Sequence, residues 1–185
     1  MNREELLRQY REGVRNFPNV DLAQAILNNI DLAQINFSQG ILSEADLTGA
    51  NLTAAILNRA NLDLSNLSQA KLTRADLSFA SLESALLYKT NLGEAKLQKA
   101  NLNQAILQRA FLRSADLAGA TLIRANLQQA NLIDSNLTQA NLTGAKLENA
   151  FLQGANLTGA CLDGVDLSQT VLTGATMPDG SIFTP

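Results

Sequence analysis

The sequence predicts an all-β solenoid: a square coil of about eight stacked turns, capped at its N-terminus by a short α-helix. Three observations predict it. Apolar residues recur every five positions without a break, that period suits neither a helix nor a flat strand, and the composition is that of one small unit used many times.

The cap comes first. Residues 2–14 read as a helix. Asn2 can N-cap it, and Glu5 three positions on completes a capping-box pattern. Leu6, Leu7, Tyr10 and Val14 fall on one face, and Gly13 and Pro18 end the helix. That face is predicted to cover the first coil, whose open edge would otherwise invite pairing. Val20, Ile30 and Ile35 are larger than the usual Ala, as if packed against this lid.

The coil occupies residues 16–182. Leu22, Leu27 and Leu32 are followed by Leu42, Leu47 and a Leu at every fifth position to Leu172, with Phe37 and Met177 in register. Val, Ala, Ile, Gly, Ser or Thr, usually Ala, stands two positions before each. On a helix, five residues advance by about 500°, so successive Leu would drift by about 140° and circle the surface. A flat strand needs strict alternation, which this spacing breaks. The pattern closes if each five-residue group forms one short side and then turns, so that four sides make a coil of 20 residues. Coils then stack about 4.8 Å apart, giving a rod of roughly 38 Å filled by Leu and Ala ladders. Ser65, Thr90, Ser135 and Thr170 replace Ala inside, where their hydroxyls can bond nearby carbonyls. Seven of the eleven glycines fall two residues after the Leu, where the coil turns.

The groups ADLTG (45–49), ANLTA (50–54), ADLSF (75–79) and ANLTG (155–159) resemble the signature of the pentapeptide-repeat family over about nine-tenths of the chain. The resemblance implies a right-handed quadrilateral β-helix. It does not imply a single function, because fold and function separate.

The tail, residues 183–185, follows a Pro178-Asp179-Gly180 turn signal, and Ile182 and Phe183 are predicted to fold over the last coil.

Composition excludes more than it selects. The chain has no His, which removes the commonest general base and metal ligand, and Cys161 is its one cysteine. No nucleophile–base pair or phosphate-binding glycine loop is present. The sequence therefore predicts no catalytic, cofactor-binding or metal-binding residue, and no enzyme. The charged start lacks an apolar signal core, and no stretch is apolar enough to span a bilayer. The expectation is a cytoplasmic protein, monomeric or weakly dimeric, with a free outward-facing thiol at Cys161. The sequons at Asn51, Asn136 and Asn156 are by-products of the repeat.

Two faces emerge from the register. One side carries Asp21, Glu44, Asp63 and Glu83, with no base until Arg124. Asp63 and Glu83 fall one rung apart, about 5 Å, where a like-charge pair can hold a cation; a solvated acidic face is the plainer reading. Another side carries outward Phe111, Ile133, Phe151 and Val171, and a third carries Leu86, Tyr88 and Ile106. Clustered apolar groups on a rod often mark a partner or dimer surface; scattered apolar residues tolerated on a flat β-face are the plainer reading.

The expected function is a non-catalytic binding or regulatory scaffold that presents rigid faces to another protein. The resemblance supplies an alternative, because some family members mimic duplex DNA and modulate a type II topoisomerase (gyrase). Such a mimic should be acidic along most of its length, since duplex DNA carries one charge per about 1.7 Å. Here residues 16–58 carry four acids and no base, residues 59–124 nine bases and five acids, and residues 125–185 one base and five acids. The basic middle, with Lys71, Arg74, Lys96, Lys99, Arg109 and Arg113, opposes the mimic. It also lacks the interleaved aromatics of a nucleic-acid binder.

Overall fold

The computed structural model describes residues 1–184, so Pro185 of the tail lies outside the described residues. The residue before each inward Leu pairs with its equivalent one coil on: Asp21 with Ile41, Ile41 with Asn61, Asn61 with Ser81. Every bridge from Asn16–Asn36 to Asn156–Thr176 is parallel and joins residues 20 apart. Leu22 N donates to Ile41 O, and Ile41 N back to Val20 O, both at 2.8 Å. The backbone is thus satisfied coil to coil, which allows its polar groups to lie against an apolar core.

Each corner is a tight turn closed by a hydrogen bond from the next small inward residue to the Leu carbonyl, as from Ala25 N to Leu22 O at 3.1 Å. Except at Gln169, the residue two after the Leu takes a left-handed φ, as the third residue of a type II turn does. Glycine does so freely, yet most corners use larger residues: Gln24, Leu64 and Phe79 have φ of 59°, 60° and 60°. The seven corner glycines all adopt it as well. At Gly154 a Cβ would lie 2.6 Å from Asp134 Oδ1 of the preceding coil, so this corner has no room for a side chain without displacing the carboxylate.

The interior is apolar. Leu27 through Leu157 at five-residue steps, with Phe37 among them, are almost wholly buried, and so are the Ala ladders from Ala45 to Ala155. Burying each Leu side chain is worth about 1.5–3 kcal/mol. Of the four inward hydroxyls, Ser65 donates to Leu62 O at 2.7 Å, Thr90 to Leu67 O at 2.7 Å, and Thr170 to Leu147 O at 3.1 Å. Ser135 departs from the expectation, because its buried Oγ has no partner.

Helix α1 runs Arg3–Arg11. Asn2 Oδ1 accepts from Glu5 N at 2.9 Å. The Glu5 carboxylate turns forward to Arg8 and Gln9, not back to the Asn2 amide. The helix stops short of the 2–14 span because Gly13 takes φ 93°, and Val14 is 39% exposed and off the packing face. Leu6 is buried, Leu7 and Tyr10 pack on the core, and Tyr10 Oη donates to Ala33 O at 3.0 Å. Val20 and Ile35 are buried in the first coil, and Ile30 is packed against it.

The far end departs from the expectation in two ways. The sequence register is unbroken there, but the bridge from Lys146 to Asp166 is missing, Asn149 N reaches Gln169 O, and Gln169 lacks the left-handed φ of the other corners. Val165 and Thr170 flank this corner, both larger than Ala. The tail does turn back: Thr176 pairs antiparallel with Ile182, and Phe183 N donates to Ala175 O at 2.8 Å. Its side chains do not form an apolar lid, however, since Ile182 is 57% and Phe183 38% exposed. Edge pairing by backbone, not burial of side chains, holds it.

Candidate functional site

The slot before each Leu has a structural job. An Asn or Asp there points outward, and its Oδ1 accepts the amide of the residue after the Leu. Thr48 N reaches Asp46 Oδ1 at 3.0 Å, Ile133 N reaches Asn131 at 3.1 Å, and Thr143 N reaches Asn141 at 3.0 Å. These bonds pre-form the turn. They also hold the Asp46 carboxyl below the usual carboxylate range, the Thr48 hydroxyl and amide outweighing partial burial. Thr53 and Thr143 hydroxyls donate to the same acceptors, so Asn51 of the first sequon is occupied in its turn.

Phe111 and Phe151 take this slot and offer no acceptor. They stand 51% and 41% exposed on one ladder, two coils apart, with Asn131 on the rung between. Together with Lys89, Arg109, Gln129 and Asn149 they line an open depression at the corner leading into this side. Val171 continues the ladder one rung beyond Phe151 and is also exposed. Ile133 belongs to the neighbouring column, is half-buried, and does not line the depression.

The rim is electropositive. Arg109 Nε donates to Gln129 Oε1 at 2.7 Å, and its Nη1 lies 3.5 Å from Tyr88 Oη. Lys89 Nζ lies 5.3 Å from the Tyr88 ring centroid. Burial works to raise the Tyr88 phenol, but the Arg109 hydrogen bond and the charges of Lys89 and Arg109 outweigh it and hold it below its usual range. Leu86 and Ile106, exposed on the adjoining side, lie on successive rungs of one ladder.

The four acids of the other side occupy three different slots. Asp21 Oδ1 accepts from Ala23 N at 3.1 Å, and Glu44 Oε2 from Gln24 Nε2 at 3.0 Å. Asp63 Oδ1 accepts from Ser81 Oγ at 2.5 Å and from Glu83 N at 2.9 Å, while Glu83 Oε2 accepts from Asn101 at 3.3 Å. Asp63 and the next coil are therefore joined through a hydroxyl and an amide. Among the described residues, no group of three or more His, Cys, Asp and Glu side chains is arranged to hold a metal ion. Among the described residues, no helix is long and apolar enough to cross a membrane. Cys161 is a half-buried free thiol, its Sγ 3.3 Å from Thr143 Oγ1.

Reading one side at a time missed Lys89, Arg109, Gln129 and Asn149, which belong to the corner of the preceding side. The 20-residue register stacks these four in one corner column, but it does not show that they reach across the corner to the Phe ladder. Phe79 was missed for the same reason: it is an exposed corner residue with the Arg59 guanidinium carbon 5.3 Å and Lys99 Nζ 5.6 Å from its ring centroid.

With this geometry in hand, comparison with known proteins adds the following. The family model described as pentapeptide repeats matches residues 16–53, 30–69, 65–104, 95–134 and 135–174. Among solved structures, HetL from the cyanobacterium Nostoc sp. strain PCC 7120, a protein involved in heterocyst differentiation regulation, is 35% identical over 99% of this chain and 100% of its own, with a TM-score of 0.41. A trypsin-treated form of QnrB1, a plasmid-mediated fluoroquinolone resistance protein, is 18% identical over 88% of this chain and 81% of its own, with a TM-score of 0.50. Rfr23 from the cyanobacterium Cyanothece 51142 is 24% identical over 90% of this chain and 98% of its own, with a TM-score of 0.33. No curated protein sequence matches the chain.

Proposed function

The chain belongs to the pentapeptide-repeat family, and from that premise we propose that it is a non-catalytic scaffold presenting the face of Phe111, Ile133, Phe151 and Val171 to another protein. One observation carries the reading. Phe111 and Phe151 occupy the slot where Asn or Asp fixes the turn, surrender that bond, and gain little burial in exchange. A residue that serves the fold poorly where it stands is best explained by what it contacts outside the fold. The backbone around it is ordered coil to coil, so little conformational entropy is lost on binding.

The setting that goes with this reading is the reducing cytoplasm, where Cys161 stays a thiol, and a monomer or weak dimer. The acidic side of Asp21, Glu44, Asp63 and Glu83 is the lesser candidate surface, since its carboxylates are already engaged within the coil. The alternative of a DNA-mimicking topoisomerase modulator is opposed by the basic middle of the rod. The likeness to QnrB1 concerns the fold alone.

Phe111→Asn with Phe151→Asn tests the proposal, because Asn is what the slot usually holds. The double variant should fold, gain stability of about 0.5–1 kcal/mol per restored turn bond, and lose the protein that the wild type retains from a source-cell extract. Retention of the same protein by both would remove this face from consideration.

A further inference from the structure

We propose that the depression between Phe111 and Phe151 receives an acidic segment of the partner protein, with one apolar side chain between the two rings and a carboxylate on Arg109 and Lys89. The proposal rests on the reading of this face as the partner-binding surface and adds the chemistry of what binds.

Spacing supplies the first argument. The two Phe stand two rungs apart on one parallel ladder with Asn131 between them, so their backbones are separated by about 9.6 Å. A side chain entering halfway lies about 4.8 Å from each rung, close to the distance of apolar contact. Asn131 on the rung between is smaller than Phe, and its Oδ1 is engaged by the Ile133 amide at 3.1 Å.

Charge supplies the second argument. The depression is lined by two cations, Lys89 and Arg109, and by no carboxylate. Among the described residues neither cation forms an ion pair; the salt bridges are Arg8 with Glu5 and Glu12, and Arg113 with Asp134. Gln129 holds Arg109 by Nε, which orients the guanidinium while Nη2 remains free to donate. A guanidinium fixed in this way is suited to a carboxylate, and its pre-ordering reduces what binding must immobilise. Nucleic acid would need cations continuing along its backbone. Here the corner column continues from Lys89 and Arg109 into neutral Gln129, Asn149 and Gln169, with Glu148 beside it. Two cations at one end of an apolar slot fit a short acidic segment.

The test pans a random-peptide phage library against the full chain and measures synthetic copies of the enriched peptides by fluorescence anisotropy. The expected consensus is an apolar residue flanked by Asp or Glu. Lys89→Gln with Arg109→Gln should weaken binding about tenfold or more. Gln already stands in this corner column at Gln69 and Gln129, so the variant is expected to fold. Binding should also weaken as salt rises, and should vanish in the Phe111→Asn, Phe151→Asn variant. Peptides that need the two Phe but neither cation would overturn the acidic assignment while leaving the face as the binding surface. No enrichment, enriched peptides indifferent to both variants, or tighter binding of an oligo-dT strand than of any peptide would also overturn it.

Discussion

Ser65 and Ser135 hold the same inward position on different sides, and only their hydroxyl environments differ. Ser65 donates to Leu62 O at 2.7 Å, whereas Ser135 Oγ is buried with no partner. Ser135→Ala should therefore raise stability by about 1 kcal/mol, and Ser65→Ala should lower it by about the same amount. Urea denaturation of the two variants gives the signs, and equal signs would show that Ser135 has a partner in solution. Leu107, wholly buried mid-rod, should lose about 2–5 kcal/mol on substitution by Ala. Asn101→Ala should lose much less, about 1 kcal/mol, because its bonds with the Asn103 amide, Glu83 and Thr121 are outward and water can replace them. That Leu faces in and Asn faces out is legible at this scale, because a five-residue side allows no other closure. That Ser135 is unsatisfied was not legible: sequence gives the hydroxyl but not the direction of the nearest free carbonyl.

At the scale of the element, the turn is where sequence and structure meet. Asp46, Asp166 and Asp179 each accept from the amide two residues on, Asp179 also from the Ser181 hydroxyl, and each carboxyl is held below its usual range by the hydroxyl-bearing residue of its own turn. A depressed folded-state pKa contributes stability that is full above the unfolded pKa, about 3.9, and is lost as pH falls through the folded value. Rod stability should therefore be insensitive to pH near neutrality and decline below about pH 4. Asp46→Asn keeps the acceptor and removes the titration, so it should flatten part of that decline in acid unfolding curves. An unchanged curve would mean that the Asp46 turn does not contribute. Helix α1 was legible through Asn2 and its apolar face, but its end was not, because the chain must leave the helix early to enter the first side. The corner at residues 166–169 was equally hidden. Its sequence register is perfect, yet the bridge to Lys146 is missing and Gln169 lacks the left-handed φ.

The whole molecule is a rod whose interior repeats and whose surface does not. One core ladder is interchangeable with the next, so function can lie only in outward residues that depart from the repeat. Phe111 and Phe151 are such departures, and the tests of the binding face and of its acidic occupant both exploit the fact that Asn and Gln are the ordinary residues there. Phe111, Phe151 and Val171 were legible as an exposed ladder, since residues 20 apart must stack. By itself the sequence determined the period, the inward and outward assignment, the corner positions marked by glycine and the capping helix. Each of these follows from steric rules local to five or twenty residues. Only the tertiary structure decided that Lys89, Arg109, Gln129 and Asn149 wall the Phe depression, that Ile133 stays out of it, that Asp63 is tied to the next coil by a hydroxyl and an amide, and that the tail pairs by its backbone while its apolar side chains stay exposed. Those outcomes depend on how far side chains reach across corners and on where the stack ends, and a repeat pattern carries neither.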